Sequence, residues 1–366
     1  MEYTKRIEYL KTYLEKENID MALIISPKSV FYYTGFDSNP HERFMALAID
    51  LINKKEYLFV PSLDKEAAKQ QSSVQEIISV SDGMNPYEKL KDTVGSQISR
   101  VGLETQTASI YQLEQLNRCF PGFQYKNIGA VISDQRMRKS KEESKKVKRA
   151  VEVIEQVLRE GIENFKIGMT EMELTAEFEY LMKKFGAEGP SFSTTVLSGE
   201  KSALPHGSPG NRKIIHGDFL LIDMGVVLDG YCSDITRTFM IGEENQKQKE
   251  IYETVQEAVK QAVGTAKARI PLGDVDSAAR RVISEAGFGK YFNHRVGHGL
   301  GIEAHEEPSI HENNQGLIES GLLFTIEPGI YISNLGGVRI EENVYIDENG
   351  EAEVLTTFPT ELIRLG

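Results

Sequence analysis

The stretch Phe219-Leu220-Leu221-Ile222-Asp223-Met224-Gly225-Val226-Val227-Leu228-Asp229-Gly230-Tyr231-Cys232-Ser233-Asp234-Ile235-Thr236-Arg237-Thr238-Phe239 decides how the chain is read. Two apolar segments, 219–227 and 231–241, flank the turn signal Leu228-Asp229-Gly230, which predicts a β-hairpin carrying one acid on each arm. A carboxylate inside an apolar strand is costly unless something positive compensates it. The arrangement recurs downstream, where Glu327 and Glu341 bracket Ser333-Asn334-Leu335-Gly336-Gly337. Side chains on one face of a hairpin come within about 5 Å across the strands. Two such hairpins deliver four carboxylates to one spot; with His298 they read as a site for two divalent metal ions, whose charge the four acids match.

Working outward, each hairpin follows two amphipathic patterns. Residues 142–164 and 171–185 precede the first, and 246–267 and 275–286 precede the second, so the C-terminal part reads as duplicated. Thr170 and Glu173 have the spacing of a capping box at one of these helix starts. The pattern predicts an α+β domain with pseudo-twofold halves, its hairpins joined in one curved antiparallel sheet and the metals in the concave face. The first 130 or so residues alternate differently: a helix at 3–17, strands at 21–26, 44–49, 56–60 and 101–104, and a helix at 109–118, which make a separate α/β domain. The boundary is placed at 131/132, giving domains 1–131 and 132–366, just ahead of a polar run. That run, 136–149, has eight Lys or Arg and two acids, and reads as a solvated linker leading into a helix.

Composition narrows the partners. At 366 residues the chain suits two domains, each with its own core. A net charge of −13 repels nucleic acid and anionic membrane surfaces, so neither is expected as a partner. Two cysteines, Cys119 and Cys232, make no disulfide framework and suit a reducing compartment. No signal-peptide core or apolar run of the roughly 18 residues needed to span a membrane is present, and the expected location is cytoplasmic.

Carboxylates with one imidazole favour hard or borderline ions, Mn²⁺ first, with Co²⁺, Fe²⁺ or Zn²⁺ as other occupants. Two such ions can share a water, lower its pKa and stabilise the oxyanion formed when it attacks a carbonyl. Cys232, two residues before Asp234, is read as a small strand residue rather than a ligand. Around His298 the sequence is Asn293-His294-Arg295-Val296-Gly297-His298-Gly299-Leu300-Gly301, and the flanking glycines read as room for a ligand to approach the backbone. Five of seven histidines fall between His206 and His305, a clustering that singles out His206, His294, His298 and His305, while His216 and His311 read as surface residues.

These residues carry a resemblance. Leu221-Ile222-Asp223-Met224-Gly225, Ser233-Asp234-Ile235-Thr236-Arg237-Thr238, His294-Arg295-Val296-Gly297-His298-Gly299, Thr325-Ile326-Glu327-Pro328-Gly329-Ile330-Tyr331 and Val338-Arg339-Ile340-Glu341-Glu342 resemble the motifs of the pita-bread metallopeptidase family. Phe31-Tyr32-Tyr33-Thr34-Gly35-Phe36 is similar to the N-terminal domain of its Xaa-Pro dipeptidase (prolidase) and Xaa-Pro aminopeptidase branch. The resemblance implies that Asp223 binds one metal, that Asp234 and Glu341 bridge both, and that His298 and Glu327 complete the other shell, with Glu327 also the general base. It further implies that His206 contacts substrate near the scissile bond, that His305 donates to the carbonyl oxygen, that His294 shapes the proline pocket, and that Arg339 holds the carboxylates from behind. The implied activity is hydrolysis of the bond between an N-terminal residue and a following proline in short peptides, by a homodimer. One departure stands out: many prolidases have arginine directly after the His-Glu-Xaa-Pro segment, and here the residue is Ser309. A serine hydroxyl cannot replace bidentate carboxylate capture, so dipeptidase and aminopeptidase both stay open. The rival readings are another hydrolase of the fold, such as a methionine aminopeptidase or a creatinase-like amidinohydrolase, and a non-catalytic peptide-binding member.

Overall fold

The computed structural model describes residues 2–366. It divides into two compact units, Met1–Arg136 and Met137–Gly366. The division falls at the end of the helix Gly129–Met137, past the 131/132 boundary expected from the sequence, because that helix continues through it.

The N-terminal unit is a six-stranded mixed sheet in the order 76–80, 55–61, 46–50, 21–24, 100–103, 124–127. Met21–Ile24 pairs antiparallel with Ala46–Asp50 and parallel with Arg100–Leu103. Its central strands are buried along their whole length, as expected where helices cover a sheet. The motif Phe31-Tyr32-Tyr33-Thr34 lies in a helix, Pro27–Thr34, that alternation analysis missed. Proline at its first turn starts the helix and Gly35, at φ 78°, ends it.

The C-terminal unit has two hydrophobic cores that correspond to its two halves. One gathers Ile154, Leu158, Leu174 and Phe178 from the helices Lys141–Asn164 and Glu171–Lys184 against Ile222, Ile235 and Phe239. The other gathers Ile251, Val255, Val275 and Ile283 from Gln246–Thr265 and Leu272–Glu285 against Phe324, Ile326 and Val344. Strand orders match: 235–241, 219–224, 195–198 in the first half, and 342–346, 323–326, 297–299 in the second. The Thr170–Glu173 capping box is present, with the Glu173 N–H donating to Thr170 Oγ1 at 3.1 Å and the Thr170 N–H to Glu173 Oε2 at 2.8 Å.

Three expectations need correction. The sheet is not one continuous antiparallel ladder: it comes as four-, five-, three- and two-stranded pieces, and Arg364–Leu365 runs parallel to the end of 235–241. The ladders break where Asp234, Glu327 and Glu341 sit, between 231–232 and 235–241, between 323–326 and 329–332, and between 336–339 and 342–346. Pro328 contributes to one break because it has no N–H for a ladder. Across these gaps the halves are stitched by the Glu341 N–H to Thr236 O at 3.2 Å and by Asn343 Nδ2 to Asp234 O at 2.7 Å. Second, the glycines around His298 make room for neighbouring strands rather than for a ligand. A Cβ at Gly297 would lie 1.9 Å from Thr325 O, and one at Gly299 would lie 2.0 Å from Glu307 O. Third, the 136–149 run is not wholly solvated, since Lys139 and Glu143 are both 4% exposed.

Candidate metal centre and active site

The hairpin registers place the acids. Asp223 is paired with Thr236, so Asp234 lies diagonally across on the same face. Gly329 pairs with Arg339 and Ile326 with Glu342, which sets Glu327 opposite Glu341. Asp229 (φ 51°) and Gly230 (φ 74°) form the tight turn of the first hairpin. Across the two hairpins, Asp223, Asp234 and Glu341 each offer an oxygen, all within 4.8 Å of one another. His298 Nε2 lies 3.2 Å from Glu327 Oε1 and 3.8 Å from Asp234 Oδ2. All five residues named from the sequence as ligands therefore meet in one place.

The electrostatics fit a cation there. Burial pushes the carboxyls of Asp234 and Glu341 well above the usual range, and the neighbouring acids push the same way. Asp223 is raised by burial against the opposing charge of Arg339. Glu327 is drawn down to about 2: burial would raise it, but the close contact with the His298 ring and the charge of Arg339 outweigh burial. Glu341 Oε1 is buried with no hydrogen-bond partner among the described residues. His298 Nδ1 is 3.1 Å from Gly299 O, a contact that fixes the proton on that nitrogen and turns the Nε2 lone pair toward the acids. An imidazole lone pair, an orphaned carboxylate oxygen and three acids kept close together form a donor set that one or more divalent ions would satisfy.

Behind the acids lies a hydrogen-bonded wall. Arg339 donates from Nη2 to Asp223 Oδ2, from Nη1 to Tyr331 OH at 2.9 Å and from Nε to Thr236 Oγ1 at 3.1 Å. Thr236 donates in turn to Glu341 Oε2 at 2.9 Å. Tyr331 donates to His294 Nε2 at 2.9 Å, while His294 Nδ1–H donates to Arg295 O at 2.7 Å. Burial lowers the His294 pKa, which keeps this imidazole neutral. Arg237, almost wholly buried, donates to the backbone oxygens of Thr236 and Glu341 and to Glu342 Oε1 at 3.0 Å. Sequence reasoning quoted Thr236, Arg237 and Tyr331 within motifs but gave them no role. Their partners lie up to about a hundred positions away, and no spacing rule links them.

His305 and His206 are the other two histidines singled out from the sequence. The His305 ring lies tilted against that of His298, with centroids 4.1 Å apart. Burial, followed by the neighbouring His298 and Arg295, pushes its pKa down to about 4. His206 is exposed, on a loop held by Glu171. Glu171 accepts from Ser198 N at 2.9 Å and Gly210 N at 3.0 Å, and also pairs with Lys201. Cys232 is buried, with its thiol 3.6 Å from Ile302 O. Ser309 accepts a hydrogen bond from Arg295 Nη1 at 2.9 Å.

This arrangement can be compared with known proteins. The sequence pattern of Metallopeptidase family M24 matches residues 145–348, more than half of the chain. The chain belongs to metallopeptidase family M24. Residues 6–138 match the Creatinase/Prolidase N-terminal domain that precedes this M24 part. The M24 chain is 41% identical over 364 residues to the putative dipeptidase YkvY of Bacillus subtilis, covering 98% of this chain and 99% of that one. Among solved structures, Xaa-Pro dipeptidase from Bacillus anthracis superposes with a TM-score of 0.92 at 32% identity, covering 99% and 100% of the two chains. The X-Pro aminopeptidase from Thermotoga maritima gives a TM-score of 0.87 at 35% identity, covering 95% and 98%. No helix among the described residues is long and apolar enough to cross a membrane.

Proposed function

We propose that this M24 metallopeptidase hydrolyses the bond between an N-terminal residue and a following proline in short peptides, using two divalent metal ions, Mn²⁺ foremost. The observation that carries the proposal is the convergence of Asp223, Asp234 and Glu341 within 4.8 Å, beside His298 and Glu327. Asp223, Asp234, His298, Glu327 and Glu341 would hold the ions. When bound, these supply a water acidic enough to ionise near neutral pH and positive charge for a developing oxyanion.

The protein's own groups do the rest. Glu327 accepts the proton of the attacking water, and its ionised state suits that role. His305, neutral near pH 7, donates to the carbonyl oxygen of the first residue. His206 approaches the scissile bond from an exposed loop and helps protonate the proline nitrogen as it leaves. His294, pinned between Arg295 O and Tyr331 OH, presents a fixed wall to the proline ring. Arg339 keeps Asp223 oriented. Arg295 donates to Ser309 Oγ at 2.9 Å, which puts a guanidinium beside Ser309 and favours capture of a dipeptide's free carboxylate. The proposal includes a cytoplasmic location, supported by two buried free cysteines, and a homodimer, which sedimentation velocity reads directly.

A substrate panel tests the reading. Protein stripped of metal and reloaded with Mn²⁺ is expected to release proline from Ala-Pro and Met-Pro, to leave Ala-Ala intact, and to cleave Xaa-Pro-Xaa peptides more slowly than dipeptides. Cleavage of Ala-Ala at the rate of Ala-Pro, or no proline from any peptide, would overturn it.

A further inference from the structure

We propose that Arg280 and Asp276, which lie outside every metal-ligand motif, are positioning residues that hold His294 and through it set the discrimination for a proline ring; the proposal rests on the peptidase reading above. Both stand on the helix Leu272–Glu285, one turn apart. Asp276 is wholly buried, and its carboxylate accepts from Arg280 Nε at 2.8 Å and from Arg280 Nη2 at 3.0 Å. A planar guanidinium held by two such bonds has its remaining donors aimed in fixed directions. Here they meet backbone. Nη1 donates to Phe292 O at 3.1 Å, and Nη2 also donates to His294 O at 2.9 Å.

The segment gripped in this way, 292–296, lies between the short turn Gly289–Tyr291 and the strand Gly297–Gly299 and belongs to no helix or strand of its own. Without a ladder, its backbone groups need other partners. The Val296 N–H donates to Asp276 Oδ1 at 2.9 Å and is shared with Ile310 O at 3.1 Å. Acid and guanidinium together therefore hold the Phe292 and His294 carbonyls and the Val296 N–H, alternate residues along the segment. Arg280 also lies over the Phe292 ring, 4.3 Å from its centroid, and that ring meets the His294 ring edge-on, with centroids 5.0 Å apart. His294 is thus held by its own backbone, by the Phe292 ring and by Tyr331 OH at 2.9 Å. The rotamer of a wall residue is only as fixed as the backbone beneath it, and this brace is what fixes that backbone. The Arg280 side chain is 28% exposed, so replacing it opens no large cavity in the core.

The test uses the full chain loaded with Mn²⁺ and compares Ala-Pro with Ala-(N-methyl-alanine), which keeps the tertiary amide and lacks the ring, read as its Ki against Ala-Pro. Arg280→Met is expected to raise KM for Ala-Pro at least fivefold with kcat changed less than threefold, while Ki for the acyclic dipeptide changes less than twofold. In a His294→Ala background, Arg280→Met should change neither constant by more than twofold, because the group it positions is already gone. Arg280→Lys keeps a charge beside Asp276 without the planar fork; it is expected to raise KM for Ala-Pro at least threefold and again to spare the acyclic dipeptide, and it decides the matter if Arg280→Met does not fold. KM and Ki rising together, or wild-type constants in the folded variants, would overturn the proposal. So would a fall in kcat alone, the result expected if the effect ran instead through Val296 O, which accepts the Glu327 N–H at 2.7 Å. Absence of turnover by the wild type on every Xaa-Pro peptide would instead remove the peptidase reading. Hydrogen–deuterium exchange of residues 292–296, expected at least tenfold faster in Arg280→Met, then judges the brace, and unchanged exchange would overturn it.

Discussion

A single hydroxyl, on Thr236, donates to Glu341 Oε2 at 2.9 Å and accepts from Arg339 Nε at 3.1 Å. It therefore aims one acid and braces the cation that aims another, Asp223. Groups that orient metal-binding side chains affect affinity or activity by about 10–100-fold when removed. Thr236→Val keeps the shape and strand preference of the side chain and deletes only the hydroxyl. It is expected to weaken Mn²⁺ binding about tenfold or more by calorimetry while leaving the folded circular-dichroism spectrum unchanged; wild-type affinity would exclude the role. Residues of this kind were not legible in the sequence. The acids themselves were, because carboxylates in the apolar strands 219–224 and 235–241 and around the second turn had no other reason to be there. Thr236 sits in an apolar strand where threonine is ordinary. Nothing local marks it as buried and paired.

At the scale of elements, the paired helices and both hairpins were readable from period and turn chemistry, and their bounds differ from the observed ones by a few residues. The interruptions of the sheet were not readable, since a break is set by which strand lies alongside and not by the broken strand's own sequence. The helix Pro27–Thr34 escaped for a related reason: it is buried on nearly every side and so has no polar face to reveal its period. The strand Gly297–Gly299 shows what close packing demands of sequence. It pairs with strands on both sides, and the Gly297 hydrogen that faces Thr325 O leaves no space for a methyl. Gly297→Ala is expected to destabilise the protein by about 3 kcal/mol, the upper range of overpacking, and to displace His298 with it. Urea unfolding and Mn²⁺ affinity measured together check this, since a variant with normal values of both would show that the strands part without consequence.

For the whole molecule, the halves of the C-terminal unit each bury an independent core, and the acids lie where the halves are joined. Asp234 and Glu341 are held there, with carboxyls pushed well up by burial and by the neighbouring acids, an arrangement that Arg339 only partly offsets and that a dication would relieve. The central claim is that these groups, with Asp223, His298 and Glu327, hold a pair of ions that the peptidase reaction requires. Its most direct test is a titration of metal-free protein with Mn²⁺ during Ala-Pro hydrolysis, with bound metal measured on the same samples. The account predicts no turnover without metal and activity that saturates as bound Mn²⁺ reaches two ions per chain. Full turnover in the presence of excess chelator, or two bound ions with no proline released, would contradict it.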